Sequence, residues 1–216
     1  GEADFYEAFN HDVTITSAYH EFCLGLETDR AGNFYFNKGG DLDKAKIPHH
    51  GTLNRVSKDG SKLEVVATGL RAPNGLSVGP ADEFTSSDNE GNWVPASRVN
   101  LMVPGGFYGH VFTAHRDPKP TSYDGPLFWL PKNADNSSGG QAWVTSSRWG
   151  PFEGDLLHMS YGLCSLFKGF YETVEGVTQG GVVRFPLKFD SGIMRGHFSP
   201  GDGQLYLCGL VVWQSN

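Results

Sequence analysis

His20, Arg71, the pair His49-His50, and Asn74 with the run Asp88-Asn89-Glu90 are the side chains of this 216-residue sequence whose types and neighbours suit chemistry. His20 stands just before the apolar stretch Phe22-Cys23-Leu24. An imidazole that titrates near neutrality is a natural general base for a hydroxyl proton, provided a carboxylate or carbonyl fixes its tautomer. The competing reading is a histidine satisfied by backbone groups at a strand start. Arg71 precedes Ala72-Pro73-Asn74-Gly75, where Pro presets φ and Asn-Gly permits a left-handed turn. A guanidinium on such a stiff loop suits an anionic or carbonyl ligand, and an ordinary surface charge is the alternative. His49 and His50, if on a strand, point to opposite faces, so at most one could join His20, Glu21, Asp41 or Asp43 around a transition metal. Asp88, Asn89 and Glu90, joined by Asn74, offer the hard oxygens that calcium prefers, or else form a solvated turn.

These residues need a scaffold, and the composition narrows which one. Charged residues are 19% and hydrophobic residues 38%, with 29 Gly, 12 Pro and 28 aromatic side chains, which favours many short strands and turns over long helices or disorder. The net charge of −7, without a basic cluster, argues against nucleic acid and anionic membrane as partners. No stretch approaches a membrane span, and the start lacks a signal-peptide pattern, so the sequence reads as a mature or trimmed soluble chain. Cys23, Cys164 and Cys208 form no metal-binding spacing, and three buried thiols are expected. No nucleophile elbow, P-loop, dinucleotide fingerprint or H-E-x-x-H is present.

A turn followed by an apolar strand recurs at Phe34, Phe84, Leu156 and Leu205, at intervals of 50, 72 and 49 residues. The long middle interval contains residues 113–138, rich in Pro, Asp, Asn and Ser, which are expected to be an exposed loop insertion in a single domain over 1–216. Repeats of about 40 to 50 residues with four short strands each predict β-propeller blades, with a β-sandwich as the alternative. Thr52–Val56 and Lys62–Ala67 should form a hairpin around Asp59-Gly60, and Val99–Val103 and Gly181–Phe185 further strands. The few residues after Leu207 cannot complete a fourth blade, so either Val13–Thr16 closes the last sheet or the chain is part of a larger ring.

From His20 to Tyr206 the order of motifs resembles the soluble quinoprotein glucose and sorbosone dehydrogenases, including a branch of membrane-bound dehydrogenases of environmental bacteria. The resemblance rests on His20, Gly51-Thr52-Leu53-Asn54-Arg55-Val56, Gly69-Leu70-Arg71-Ala72-Pro73-Asn74-Gly75-Leu76, Ser87-Asp88-Asn89-Glu90-Gly91, Gly105-Gly106-Phe107-Tyr108-Gly109 and Arg195 before Ser199-Pro200-Gly201-Asp202-Gly203. It implies an all-β, six-bladed propeller with about four blades in this chain, and a secreted or periplasmic sugar or polyol dehydrogenase using pyrroloquinoline quinone (PQQ). Self-association or partner-supplied blades would complete the ring. The resemblance also implies that His20 is the base, that Arg71 lies beside the quinone carbonyl, and that Arg195 holds a quinone carboxylate. Three family positions depart: the histidine's carboxylate partner falls on Gly40, with Asp41 adjacent, the quinone lysine near Gly162, and a second late arginine on Ile193.

Two alternatives stand beside the dehydrogenase. The Pro73-Asn74-Gly75-Leu76 and Asp88 pattern is similar to that of calcium-dependent gluconolactonases, in which Asn74, Asp88 and Glu90 would hold Ca2+ and the metal would activate water or polarise a lactone carbonyl. A non-catalytic carbohydrate-binding propeller is the other. Among the aromatics, Trp149 and Tyr108 are the expected sugar-stacking surfaces and the rest are expected in blade cores.

Overall fold

A computed structural model describes residues 2–18, 20–40 and 47–211; Asp41 and Asp43 lie outside the described residues. Fourteen strands are described. The first antiparallel sheet has β1 (Cys23–Thr28), β2 (Phe34–Lys38), β3 (Thr52–Val56) and β4 (Leu63–Ala67) in that order. The second has β5 (Gly75–Val78), β6 (Phe84–Asp88), β7 (Ser97–Met102) and β8 (Phe128–Leu130), and the third β9 (Ser138–Trp143), β10 (Leu156–Ser160), β11 (Ser165–Val174) and β12 (Val177–Arg184). A fourth contains the pair β13 (Gly192–Phe198) and β14 (Leu205–Leu210).

The first strands of successive sheets pack on one another, β1 on β5, β5 on β9 and β9 on β13, so the sheets radiate from a shared hub. Apolar side chains fill the wedges between sheets. Tyr35, Leu53, Leu76 and Phe84 pack between the first and second, Val99, Phe128, Trp143 and Leu156 between the second and third, and Leu157, Met159, Ile193 and Phe198 between the third and fourth. This is the arrangement of a partial β-propeller, in agreement with the repeat, and it excludes two stacked layers. The recurring apolar residues Phe34, Phe84, Leu156 and Leu205 each begin the second strand of their sheet. The hairpin at Ser57–Gly60 forms as the sequence predicts: Gly60 has φ 76°, and Asp59 accepts from the Ser61 amide and from both flanking serine hydroxyls.

Three expectations are corrected. The stretch 113–138 is not all loop, because Phe128-Trp129-Leu130 pairs along β7 as β8 and buries Phe128 and Leu130. Cys23 and Cys208 are exposed and Cys164 half-buried, and all three are free thiols, since β1 and β14 each turn one face to solvent. Val13–Thr16 forms no strand; the Thr14 amide instead donates to His49 Nδ1 at 3.0 Å. No helix among the described residues is long and apolar enough to cross a membrane.

Candidate active site

At the hub, a cavity of about 380 Å³ is bordered by four sheets. His20 and Phe22 enter from the segment before β1, Ala72, Pro73 and Asn74 from the turn before β5, Ser137 and Tyr161 from either end of the β9–β10 hairpin, and Met194 and Leu210 from β13 and β14. The proline-led turn that singled out Arg71 therefore forms one wall.

The His20 backbone crosses directly over Gly39, whose amide donates to Phe22 O at 2.8 Å; a Cβ on Gly39 would stand 2.5 Å from His20 O. Position 40 is equally crowded, with a hypothetical Cβ 2.9 Å from Thr113 Cγ2 and 3.3 Å from Gly51 N. Any side chain at position 40 would press on the Thr113 methyl and the Gly51 backbone. The residue after His20 belongs to a buried ionic cluster. Glu21 Oε1 lies 2.6 Å from Lys38 Nζ and 3.4 Å from His50 Nε2, the Thr16 amide donates to both carboxylate oxygens at 2.9 Å, and the Thr16 hydroxyl donates to Oε2. Burial alone would push the Glu21 carboxyl up, but these hydrogen bonds and the ammonium hold it down at about 2.

Arg195 extends from β13 to Asn74. Its Nη2 donates to Asn74 O and Oδ1, both at 2.9 Å, and its Nη1 to Met194 O at 2.8 Å, while the Asn74 amide nitrogen donates to Ser138 O at 2.8 Å. Burial lowers the guanidinium's affinity for its proton, and no carboxylate answers it among the described residues. Arg71 contributes its backbone rather than its charge to the packing. Its amide donates to Asp88 Oδ2 at 2.9 Å and its carbonyl accepts from Gly40 N at 3.1 Å. The side chain runs by Gly91, where a Cβ would be 3.4 Å from Arg71 Cδ and 3.1 Å from His110 Nδ1, and the guanidinium makes no hydrogen bond or ion pair with the described residues.

Asn74, Asp88 and Glu90 do not assemble into the expected calcium site. Both ends of the Asn74 amide are used. Buried Asp88 takes the amides of Arg71, Ala72 and Asn89 and lies 3.7 Å from Arg98 Nη2, while Glu90 points to Lys132. A carboxylate encircled by amides and a guanidinium is already neutralised. His49 and His50 sit in a turn, not a strand, though they still diverge, and Lys38 occupies the position beside Glu21 and His50 that a metal cation would need. No group of three or more His, Cys, Asp or Glu among the described residues is arranged to hold a metal. Trp149 packs edge-on against Phe152, Phe185 and Phe198, and Tyr108 is fully buried with its hydroxyl donating to Leu101 O at 2.6 Å. Neither is a stacking platform; Tyr161 and Phe22 face the cavity instead.

Glu21, Lys38 and Asp88's loop-holding role lie beyond the sequence reading. An i, i+17 ion pair leaves no local signature.

No protein-family model and no curated protein matches the chain. Solved structures do. An inferred oxidoreductase (glucose dehydrogenase) from Thermus thermophilus superposes with a TM-score of 0.66 at 22% identity, covering 90% of this chain and 62% of its own. The soluble aldose sugar dehydrogenase of Escherichia coli, in its apo form, gives 0.63 at 17%, covering 85% and 59%. The PQQ-bound aldose sugar dehydrogenase of Streptomyces coelicolor gives 0.63 at 16%, covering 86% and 55%. The chain thus spans less than two thirds of the length of these structures, and what the likeness establishes is its fold, an arc of the propeller on which those sugar dehydrogenases are built.

Proposed function

We propose that this arc carries the site of a sugar or polyol oxidoreductase of the quinoprotein type. The observation that supports this best is the Arg195 guanidinium, which is held by Asn74 on the wall of the His20 cavity and has no carboxylate among the described residues. A half-buried cation without a counter-ion is costly, and an anionic ligand removes that cost.

The donor set suits a flat, anionic quinone. The cavity is large enough for a fused ring system, its walls are mostly apolar, and Arg195 reaches its margin through Asn74. Arg195 would hold a carboxylate group of PQQ, and Arg71 would lie beside a quinone carbonyl. With Gly162 and Ile193 at the other two cationic positions, and Ile193 buried in the core, the hold is weaker by two charge-assisted contacts. When bound, the quinone would supply the acceptor for a hydride equivalent from the substrate carbon. His20 takes the proton of the hydroxyl on that carbon, so that one proton and one hydride leave together as the carbonyl forms. Asn74 keeps Arg195 in place through two hydrogen bonds, and the Asp88 carboxylate fixes the loop that begins at Arg71. Phe22, Tyr161 and Met194 present apolar surface to the C–H faces of a sugar ring and displace water.

The test is dye reduction by the chain loaded with PQQ in calcium-containing buffer, over a panel of aldoses and polyols. Turnover is expected, with His20→Asn lowering kcat by about 100-fold or more while quinone binding, followed by absorbance, is retained. Absence of turnover with every sugar, or a His20→Asn variant as fast as the parent, would overturn the assignment. Sugar binding without turnover would identify a carbohydrate-binding propeller.

A further inference from the structure

Away from the hub, a second and larger cavity of about 570 Å³ lies between the turn 47–51, β4 and the segment 111–119 that leads toward β8. Its size falls in the usual range for a small-molecule site. Its walls are apolar, from Pro48, Val65, Val111 and Phe112. Its charged residues are Arg116 and Lys119 against a single carboxylate, Asp117. This is a locally cationic lining on a chain whose net charge is −7.

Two histidines border the same space. His49 accepts the Thr14 amide at Nδ1, which leaves its proton on Nε2 in the neutral ring. His115 Nε2 is 2.6 Å from His50 O. Both have backbones in the left-handed region, φ 66° and 52°, which non-glycine residues adopt rarely and chiefly where the surroundings enforce it. Arg116 uses one donor on Gly105 O and stacks over Phe107, and Lys119 lies over the Phe112 ring, so neither cation is matched to a carboxylate. Thr68, also in the lining, is 9% exposed and its buried hydroxyl has no partner among the described residues. A buried hydroxyl without a partner is uncommon.

We infer that this cavity binds a small carboxylate built on an apolar ring, its carboxyl group met by Arg116 and Lys119 and its ring against Val65 and Phe112. The assignment is independent of the dehydrogenase proposal, because none of these residues borders the hub cavity.

The probe is naphthalene-2-carboxylate, titrated calorimetrically into the full 216-residue chain, with histidine side-chain NMR reporting the place of binding. Saturable binding is expected that shifts His49 and His115 resonances, and the neutral 2-naphthamide should bind about tenfold or more weakly. The double variant Arg116→Gln/Lys119→Gln, at exposed positions that leave the fold intact, should lose a similar factor. Thr68→Val, an isosteric change, should weaken binding by a smaller factor without altering the circular dichroism spectrum. No saturation at millimolar probe overturns the inference. So do equal binding of the amide, an unaffected double variant, or shifts confined to His20 and the hub.

Discussion

The last residue of the second strand in each complete sheet is buried and polar, yet it differs in kind: Lys38 in the first sheet, Asp88 in the second and Ser160 in the third. In the third sheet this position is part of a network centred on Asp135, which leaves the Gln141 Oε1 without a partner among the described residues. Asp135 takes the hydroxyls of Ser160 and Ser138 at 2.7 Å, the Ser137 amide at 3.1 Å and His158 Nε2 at 2.8 Å, and Gln141 lies 3.2 Å from the remaining imidazole nitrogen. In the second sheet the carboxylate spends its capacity on the Arg71–Ala72 turn and on Arg98, whose Nε and Nη1 find no hydrogen-bond partner, beside a His110 ring whose nitrogens also have none among the described residues. A carboxylate whose donors come from the strands of its own sheet is a staple, whereas one spent on the Arg71–Ala72 turn holds a loop at the hub. The difference shows that one architectural slot, repeated by the propeller, is specialised sheet by sheet.

Removing the second-sheet carboxylate should have the largest effect. Asp88→Ala leaves Arg98 buried without its counter-charge and three amides without an acceptor, a loss of about 3–5 kcal/mol, readable from urea unfolding. At a temperature where the variant remains folded, quinone affinity should fall as well, because the turn at Arg71 is released. If stability drops but affinity is unchanged, Asp88 is a staple like Asp135 and the contrast fails.

In the first sheet, Lys38→Met should cost about 3 kcal/mol at neutral pH. Glu21 is held at about 2, below the 4.5 of a free glutamate, so its contribution is complete above pH 4.5 and fades as the pH falls toward 2. The gap in unfolding free energy between parent and variant should therefore close across that window. A gap that stays constant to pH 2 would show that Lys38 acts by packing alone. Asp135→Asn should cost less, about 2 kcal/mol, since the amide keeps one acceptor oxygen for the surrounding donors, and it should leave dye reduction and quinone affinity as they were. A change in either would remove the distinction between staple and loop holder.

The periodicity of Phe34, Phe84, Leu156 and Leu205 was enough to find the sheets because each residue opens a second strand, and the last three pack into wedges between blades. Arg71, Asn74 and His20 were legible from local turn chemistry, and the structure places His20 and Asn74 on one cavity. Composition misled at Phe128–Leu130, where three strand residues are set in a polar stretch. It misled again at Asp88-Asn89-Glu90, since which oxygens are free depends on backbone amides 16 and 17 residues away. The pairings Glu21–Lys38 and Asp135–His158 span 17 and 23 residues, and only the closed sheets bring them together.

The smallest expected effect concerns a second glutamate of the first sheet. Glu27, on β1 opposite Tyr35, is partly buried with no cation credited to it, and burial raises its carboxyl to about 7 while Glu21, six positions earlier, is held at about 2. The same sheet thus shifts two glutamates in opposite directions, and the presence of an ammonium decides which. A folded-state value above the unfolded one means that the neutral acid is favoured by folding. Relative to Glu27→Gln, the parent should carry no penalty below pH 4.5, lose stability as the pH rises toward 7, and remain lower beyond it. With the site partly open to solvent the deficit is about 1 kcal/mol. Urea midpoints of the two proteins at about pH 4 and about pH 8 measure it; a difference that is flat in pH would mean that Glu27 ionises as freely in the fold as in the unfolded chain, and that burial without a partner does not separate it from Glu21.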